Sequence, residues 1–179
     1  MPLPRLLLIA LCLWLPAPWA GTAAPCLKLV FDRYCLGSDF DSFLRQMPPP
    51  LMQTNDQAGQ GAIYLEERER VYVLAFHGRI YKIVRQYRPS TQARFDELDR
   101  LVVDKYGPPQ DSSQFPSYAS SKTARIVAIR RGDGRALHVW PSQEGWRLEL
   151  SWTREIGIAL SYIAEQLDAE RRKALLGEL

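Results

Sequence analysis

The chain has 179 residues, with 23 Lys and Arg against 20 Asp and Glu and a formal net charge of +3 at pH 7. A charge this near neutrality argues against a general nucleic-acid binder. Beyond its first residues no stretch is apolar enough to span a bilayer, so no transmembrane segment is expected in the mature chain.

The chain opens on Arg5, an apolar run from Leu6 to Leu15, and a Pro-rich, small-residue segment from Pro16 to Ala24. Basic, apolar and small residues in that order form the pattern of a secretory signal peptide. The apolar run is about half the roughly 20 residues a membrane span needs. Gly21 and Ala23 supply small residues at −3 and −1. Residues 1–23 therefore read as a cleaved signal, and residues 24–179 as a single α+β domain large enough for one core. Losing Arg5 leaves 22 basic against 20 acidic side chains, a mature net charge of +2. Pro25 stands where lipidation of Cys26 would need a small residue. Cys12 leaves with the signal, and Cys26 and Cys35 are expected to form a disulfide in an oxidising compartment.

In the mature chain, Leu27 to Phe31 fits a short strand or a helical turn. Asp39 to Gln46 fits a short helix, with Asp39 or Asp41 near its cap and Phe40, Phe43 and Leu44 on one face. Pro48-Pro49-Pro50 cannot continue it. Gln53 to Gly61 is polar and Gly-containing and reads as a loop. Val71 to Phe76 and Arg79 to Tyr87 read as a hairpin turning at His77-Gly78, with Val71 to Phe76 as a central strand. Ser90 or Thr91 then caps a helix ending at Tyr106, with Phe95, Leu98, Val102 and Tyr106 on one stripe and Gly107-Pro108 as its stop. Gln110 to Ser121 reads as a connection. Ala124 to Arg131 and Arg135 to Trp140 read as a second hairpin around Gly132-Asp133-Gly134. Trp146 to Trp152 alternates cleanly. Ile156 to Tyr162 fits a strand through Ile156, Ile158, Leu160 and Tyr162 or a helix through Ile156, Leu160, Ile163 and Leu167, with the strand favoured, and roughly Ala164 to Leu176 fits a charged helix. The expected fold is α+β: an antiparallel sheet of hairpins with helices on one face, in the order ββα then ββββα.

No catalytic set stands out. There is no G-x-S-x-G turn. His77 and His138 are too few to join the cysteines in a metal site. Glu66, Glu67 and Glu69, interleaved with Arg68 and Arg70, read as a solvated charged face rather than as paired acids. His77 should be exposed and His138 a satisfied structural residue; Trp140, Trp146 and Trp152 should be core. Arg79, Lys82, Arg85, Arg88 and Arg94 are interleaved with Tyr81 and Tyr87. Of these, Arg79, Tyr81, Lys82, Arg85, Tyr87 and Arg88 form the candidate partner surface, set against a plain wet sheet face with snorkelling stems.

Residues 30–37 (VFDRYCLG), the short helix and prolines after them, Phe76 to Tyr87 (FHGRIYKIVRQY) and Lys105-Tyr106-Gly107-Pro108 resemble a pattern of small proteobacterial envelope proteins. Over residues 30–108 the chain is loosely similar to the BamE/SmpA-like ββα proteins of outer-membrane assembly. The matching residues are turn and core positions, so the resemblance implies fold and brings no catalytic residues. The chain is expected to be a non-enzymatic, cofactor-free, periplasmic binding or accessory protein. Its partner would be another envelope protein. The alternative is an inhibitor or immunity protein against an envelope-acting toxin or hydrolase.

Overall fold

A computed structural model describes residues 26–56, 59–142 and 144–177. The signal-peptide reading of residues 1–23 lies outside them. The described residues form ten strands and four helices. β1 (Lys28–Val30) and β2 (Tyr34–Leu36) make a small hairpin closed by the Cys26–Cys35 disulfide. α1 (Phe40–Gln46) follows, its N-cap Asp39 accepting from the Ser42 amide at 2.8 Å. Then come β3 (Met52–Asp56), β4 (Gly59–Glu66), β5 (Glu69–Phe76), β6 (Arg79–Tyr87) and α2 (Gln92–Tyr106). The second half holds β7 (Gln110–Asp111), α3 (Lys122–Arg131), β8 (Ala136–Pro141), β9 (Trp146–Thr153), β10 (Gly157–Ala164) and α4 (Glu165–Gly177).

β3 to β10 form one antiparallel sheet in the order β3-β4-β5-β6-β10-β9-β8-β7. The α+β antiparallel class expected from the sequence is the class observed. Alternation along each strand gives the sheet two faces. The inner face carries Val73, Ile83, Leu150 and Leu160, which join one core with Phe40 and Phe43 of α1, Phe95, Leu98 and Val102 of α2, and Ile129 of α3. α4 crosses to the outer face, so the helices do not all pack on one face as the sequence suggested; its Asp168 pairs there with Arg147 at 2.8 Å. No helix among the described residues is long and apolar enough to cross a membrane.

Two segments take a secondary structure other than the one expected. Ala124 to Arg131 is helical, not a strand. Its β-branched residues suggest a strand, but Ser121 caps the segment by accepting from the Ala124 amide at 3.2 Å. Gly132 closes it in the left-handed region at φ 86°. Helical spacing then turns Ile126 and Ile129 together toward the core and Val127 outward. The expected order ββα then ββββα fails at this helix. Gln53 to Gly61 contributes β3 and the start of β4 instead of a loop. Backbone pairing to β5 draws β4 into the sheet, and β3 as an edge strand needs no apolar face. Gly61 fits because a Cβ there would come within 3.1 Å of Thr54 Oγ1 and 3.3 Å of Leu74 Cδ2.

The hairpin of β1 and β2 is small and depends on its bridge. Replacing Cys26 and Cys35 with Ala should lower unfolding free energy by about 2–3 kcal/mol, read from urea titration. Intact mass with and without reduction should show one bridge in exported protein.

Candidate partner-binding face

The residues singled out in β6 do not share one surface, because neighbours along a strand point to opposite faces. Arg85 and the buried Tyr87 lie on the inner face, Lys82 on the outer. Ala75 faces Ile80 while Leu74 faces Lys82, so Tyr81 is an extra residue in a bulge. It turns beneath α4, with the Arg171 guanidinium 5.1 Å from its ring. Arg79 donates from Nε and Nη2 to the Gly37 carbonyl at 3.1 and 2.8 Å, tying β6 to the segment before α1. It borders a concavity of about 890 Å³, beside Cys26, Leu27 and Leu167. Arg88 is exposed beyond the strand end. Burial lowers the Lys82 pKa below its ordinary value, opposed by Glu149 and Asp168.

Arg85 belongs to an ion cluster that the sequence does not announce. Glu67 and Arg68 make a two-residue turn, Glu67 at φ 56°, so Glu66 and Glu69 lie opposite each other in the hairpin and share the inner face. The solvated reading of these two acids is therefore corrected. Arg85 bridges them, through Nη2 to Glu66 and Nε at 3.7 Å from Glu69. Arg33 reaches Glu66 at 3.3 Å, and Arg94 of α2 reaches Glu69 at 3.4 Å. The Arg85 guanidinium lies 4.0 Å from the Phe31 ring centroid. The buried Tyr34 hydroxyl donates to Glu66 at 2.6 Å. Burial, then the Glu66 carboxylate, pushes its phenol well above the ordinary range. The cluster ties β2, β4, β5, β6 and α2 together, and its charges are largely matched within it.

His138 is satisfied, as the sequence suggested. Its Nδ1 lies 2.6 Å from Asp99 Oδ1 on α2, with its ring edge against Phe95. His77 is exposed in its turn, stacked on Phe76. Trp140, Trp146 and Trp152 are buried.

What remains open is the outer face. Cross-strand register lines up Met52, Ile63, Tyr72 and Val84 across β3 to β6. Leu65 and Leu74 flank that row on the same face. α4 rests on β6 and β10, where Val84 is buried, and the row becomes exposed toward β3 and β4. Met52 is 56% exposed and Leu65 59%. These six side chains are uncharged, and Arg70 opposite Leu65 and Lys82 opposite Leu74 border them on the same face. The patch also runs into β3, an edge strand with a free row of backbone hydrogen-bonding groups.

No protein-family model matches the chain, and no curated protein matches it in sequence. Among solved structures, it is similar to a cysteine-rich secretory protein from Staphylococcus aureus at 7% identity and a TM-score of 0.38, covering 73% of this chain and 44% of that one. It is also similar to an extracellular SCP-domain protein from Bacillus anthracis at 10% identity and a TM-score of 0.40, covering 79% of this chain and 47% of that one. The chain thus spans less than half of each. Likenesses this slight identify neither a family nor an activity.

The ion cluster has a pH signature. Folded Tyr34 holds its proton above the unfolded value near 10. Its stabilisation is therefore complete below about pH 10 and is lost as pH rises beyond. Tyr34→Phe should cost about 1–3 kcal/mol at pH 7 by removing a bond to a charged acceptor. It should also flatten the decline in stability between pH 10 and 11, measured by urea titration at each pH.

Proposed function

We propose that the protein is exported and works without catalysis, by holding another envelope protein against the outer face of its sheet beside β3. The observation that carries this reading is the apolar row of Met52, Ile63, Leu65, Tyr72 and Leu74 on the outer face, with Met52 and Leu65 more than half exposed next to the edge strand β3. Exposed apolar area with a polar surround marks protein-interaction surfaces. An open edge can add a partner's strand. Export is supported by the basic, apolar and small-residue order at the start of the chain and by the Cys26–Cys35 bridge, which persists in oxidising compartments.

Affinity capture of the mature chain from its own envelope fraction, with crosslinking, tests this directly. Wild-type protein should retain one stoichiometric partner. The Leu65→Lys, Tyr72→Lys double variant should lose it by at least tenfold while keeping its melting temperature within a few degrees. Retention by the variant, or no partner above background for wild type, would count against the reading. A captured toxin or hydrolase would identify an inhibitor; an assembly component would identify an accessory factor.

A further inference from the structure

A second site lies on the opposite side of the molecule, between α2, α3 and β8. There the inner-face core is incomplete and leaves a cavity of about 200 Å³. This is below the roughly 300–1,000 Å³ of drug-sized pockets, and it suits one small molecule. Its walls are apolar: Phe95 and Trp152 stack with centroids 6.0 Å apart, and Ile126, Ile129 and Ala136 complete the lining with Phe115. Phe115 is held in place by Gly134, where a Cβ would meet its Cδ1 at 2.7 Å.

The polar groups sit together around these walls, and they come in both signs. Lys122 and Arg125 come from successive turns of α3, and Asp96 and Asp111 from α2 and β7. Arg125 rides over the Phe115 ring at 5.1 Å and donates from Nε to the Ala119 carbonyl, leaving its terminal nitrogens without a partner among the described residues. Lys122 makes no ion pair among the described residues. Asp96 accepts from Gln92 at 2.7 Å through one oxygen, and Asp111 from the Ser113 amide at 2.9 Å through one oxygen. The second oxygen of Asp96 has no donor among the described residues, and Asp111, held by the Ser113 amide and hydroxyl, lies within the field of Arg125. His138, locked by Asp99, presents a fixed ring in the same lining.

An apolar chamber of this size, with two cations and two carboxylates around it, matches a molecule with an apolar body and one charge of each sign. We infer that this cavity binds a free apolar or aromatic α-amino acid. The side chain packs against the lining of Phe115, Ile126 and the stacked Phe95–Trp152 pair, the α-carboxylate faces Lys122 and Arg125, and the α-ammonium faces Asp96 and Asp111. A purely anionic ligand would meet the two aspartates unfavourably, and a purely cationic one would meet Lys122 and Arg125. The site is separate from the outer-face patch and does not depend on it.

The test uses the mature chain with L-phenylalanine and L-leucine as probes, followed by calorimetry and by the NMR shifts of the Ile126 methyl and Trp152 indole groups. At least one probe should bind saturably and shift both signals. L-phenylalanine methyl ester, which lacks the carboxylate, and N-acetyl-L-phenylalanine, which lacks the ammonium, should each bind at least tenfold more weakly. Lys122→Ala and Asp111→Asn, both at exposed positions, should weaken the parent amino acid several-fold without changing the fold seen by circular dichroism. Ala136→Leu should fill the cavity and abolish binding; should it unfold, the two surface variants decide. The inference is overturned if neither amino acid saturates below 10 mM, or if the ester and the acetylated form bind as well as the parent.

Discussion

β6 and β10 pair antiparallel from Tyr87 opposite Ile158 to Lys82 opposite Ile163. Each of these strands ends one hairpin system and would otherwise be an edge. Their union turns two four-stranded sheets into one of eight and places both sets of helices over a shared inner face. The apolar gain lies there. Ile83 and Tyr87 from one side, and Ile158, Leu160 and Tyr162 from the other, are buried in the same cluster. Gln86 stitches the seam's end by donating to the Ile156 carbonyl, and Ser90 Oγ accepts from the Ile158 amide at 3.1 Å. Both candidate sites follow from this join. The outer patch exists because α4 sits at the seam and leaves the β3 side bare. The cavity exists because α2 from the first half must meet α3 and β8 from the second.

The charged residues divide along the same lines. Glu66, Glu69 and Arg85 are drawn into partial burial because the hairpin points them at the core side, where Arg33 and Arg94 complete the balance. Breaking one partner of such a set leaves the others uncompensated, which costs more than the set itself contributes. The cluster is best understood as a fixed joint between the N-terminal hairpin and α2, and the outer face is where unbalanced apolar surface remains.

Much of the fold was legible where local and global signals agree. α2 has a Thr91 cap, a stripe of Phe95, Leu98 and Val102, and a Gly107-Pro108 stop. β9 alternates, and His77-Gly78 marks the hairpin of β5 and β6. α3 was misread because Thr123, Ile126, Val127 and Ile129 favour strands, while the deciding signals were its Ser121 and Gly132 caps. β3 was missed because an edge strand takes its conformation from the neighbour it pairs with. The candidate surface on β6 was read as continuous although adjacent residues face apart, and the Glu66–Glu69 pairing required knowing that only two residues turn between them. His138's partner Asp99 is 39 residues away in sequence, on another element.

The seam also fixes an order of events. In the native contacts Gln86 meets Ile156 across 70 residues of chain. Loop closure over that span is entropically slow to achieve. A chain emerging from its N-terminus therefore completes β3 to β6 long before β10 exists to cover it. During that interval β6 is a temporary edge, with Ile83 and Tyr87 facing water beside an unpaired backbone. Such a half-built sheet is prone to pairing with the wrong strand. The growing polypeptide accordingly carries its greatest exposure to aggregation midway through its length, at the stretch that later becomes its best-protected interior.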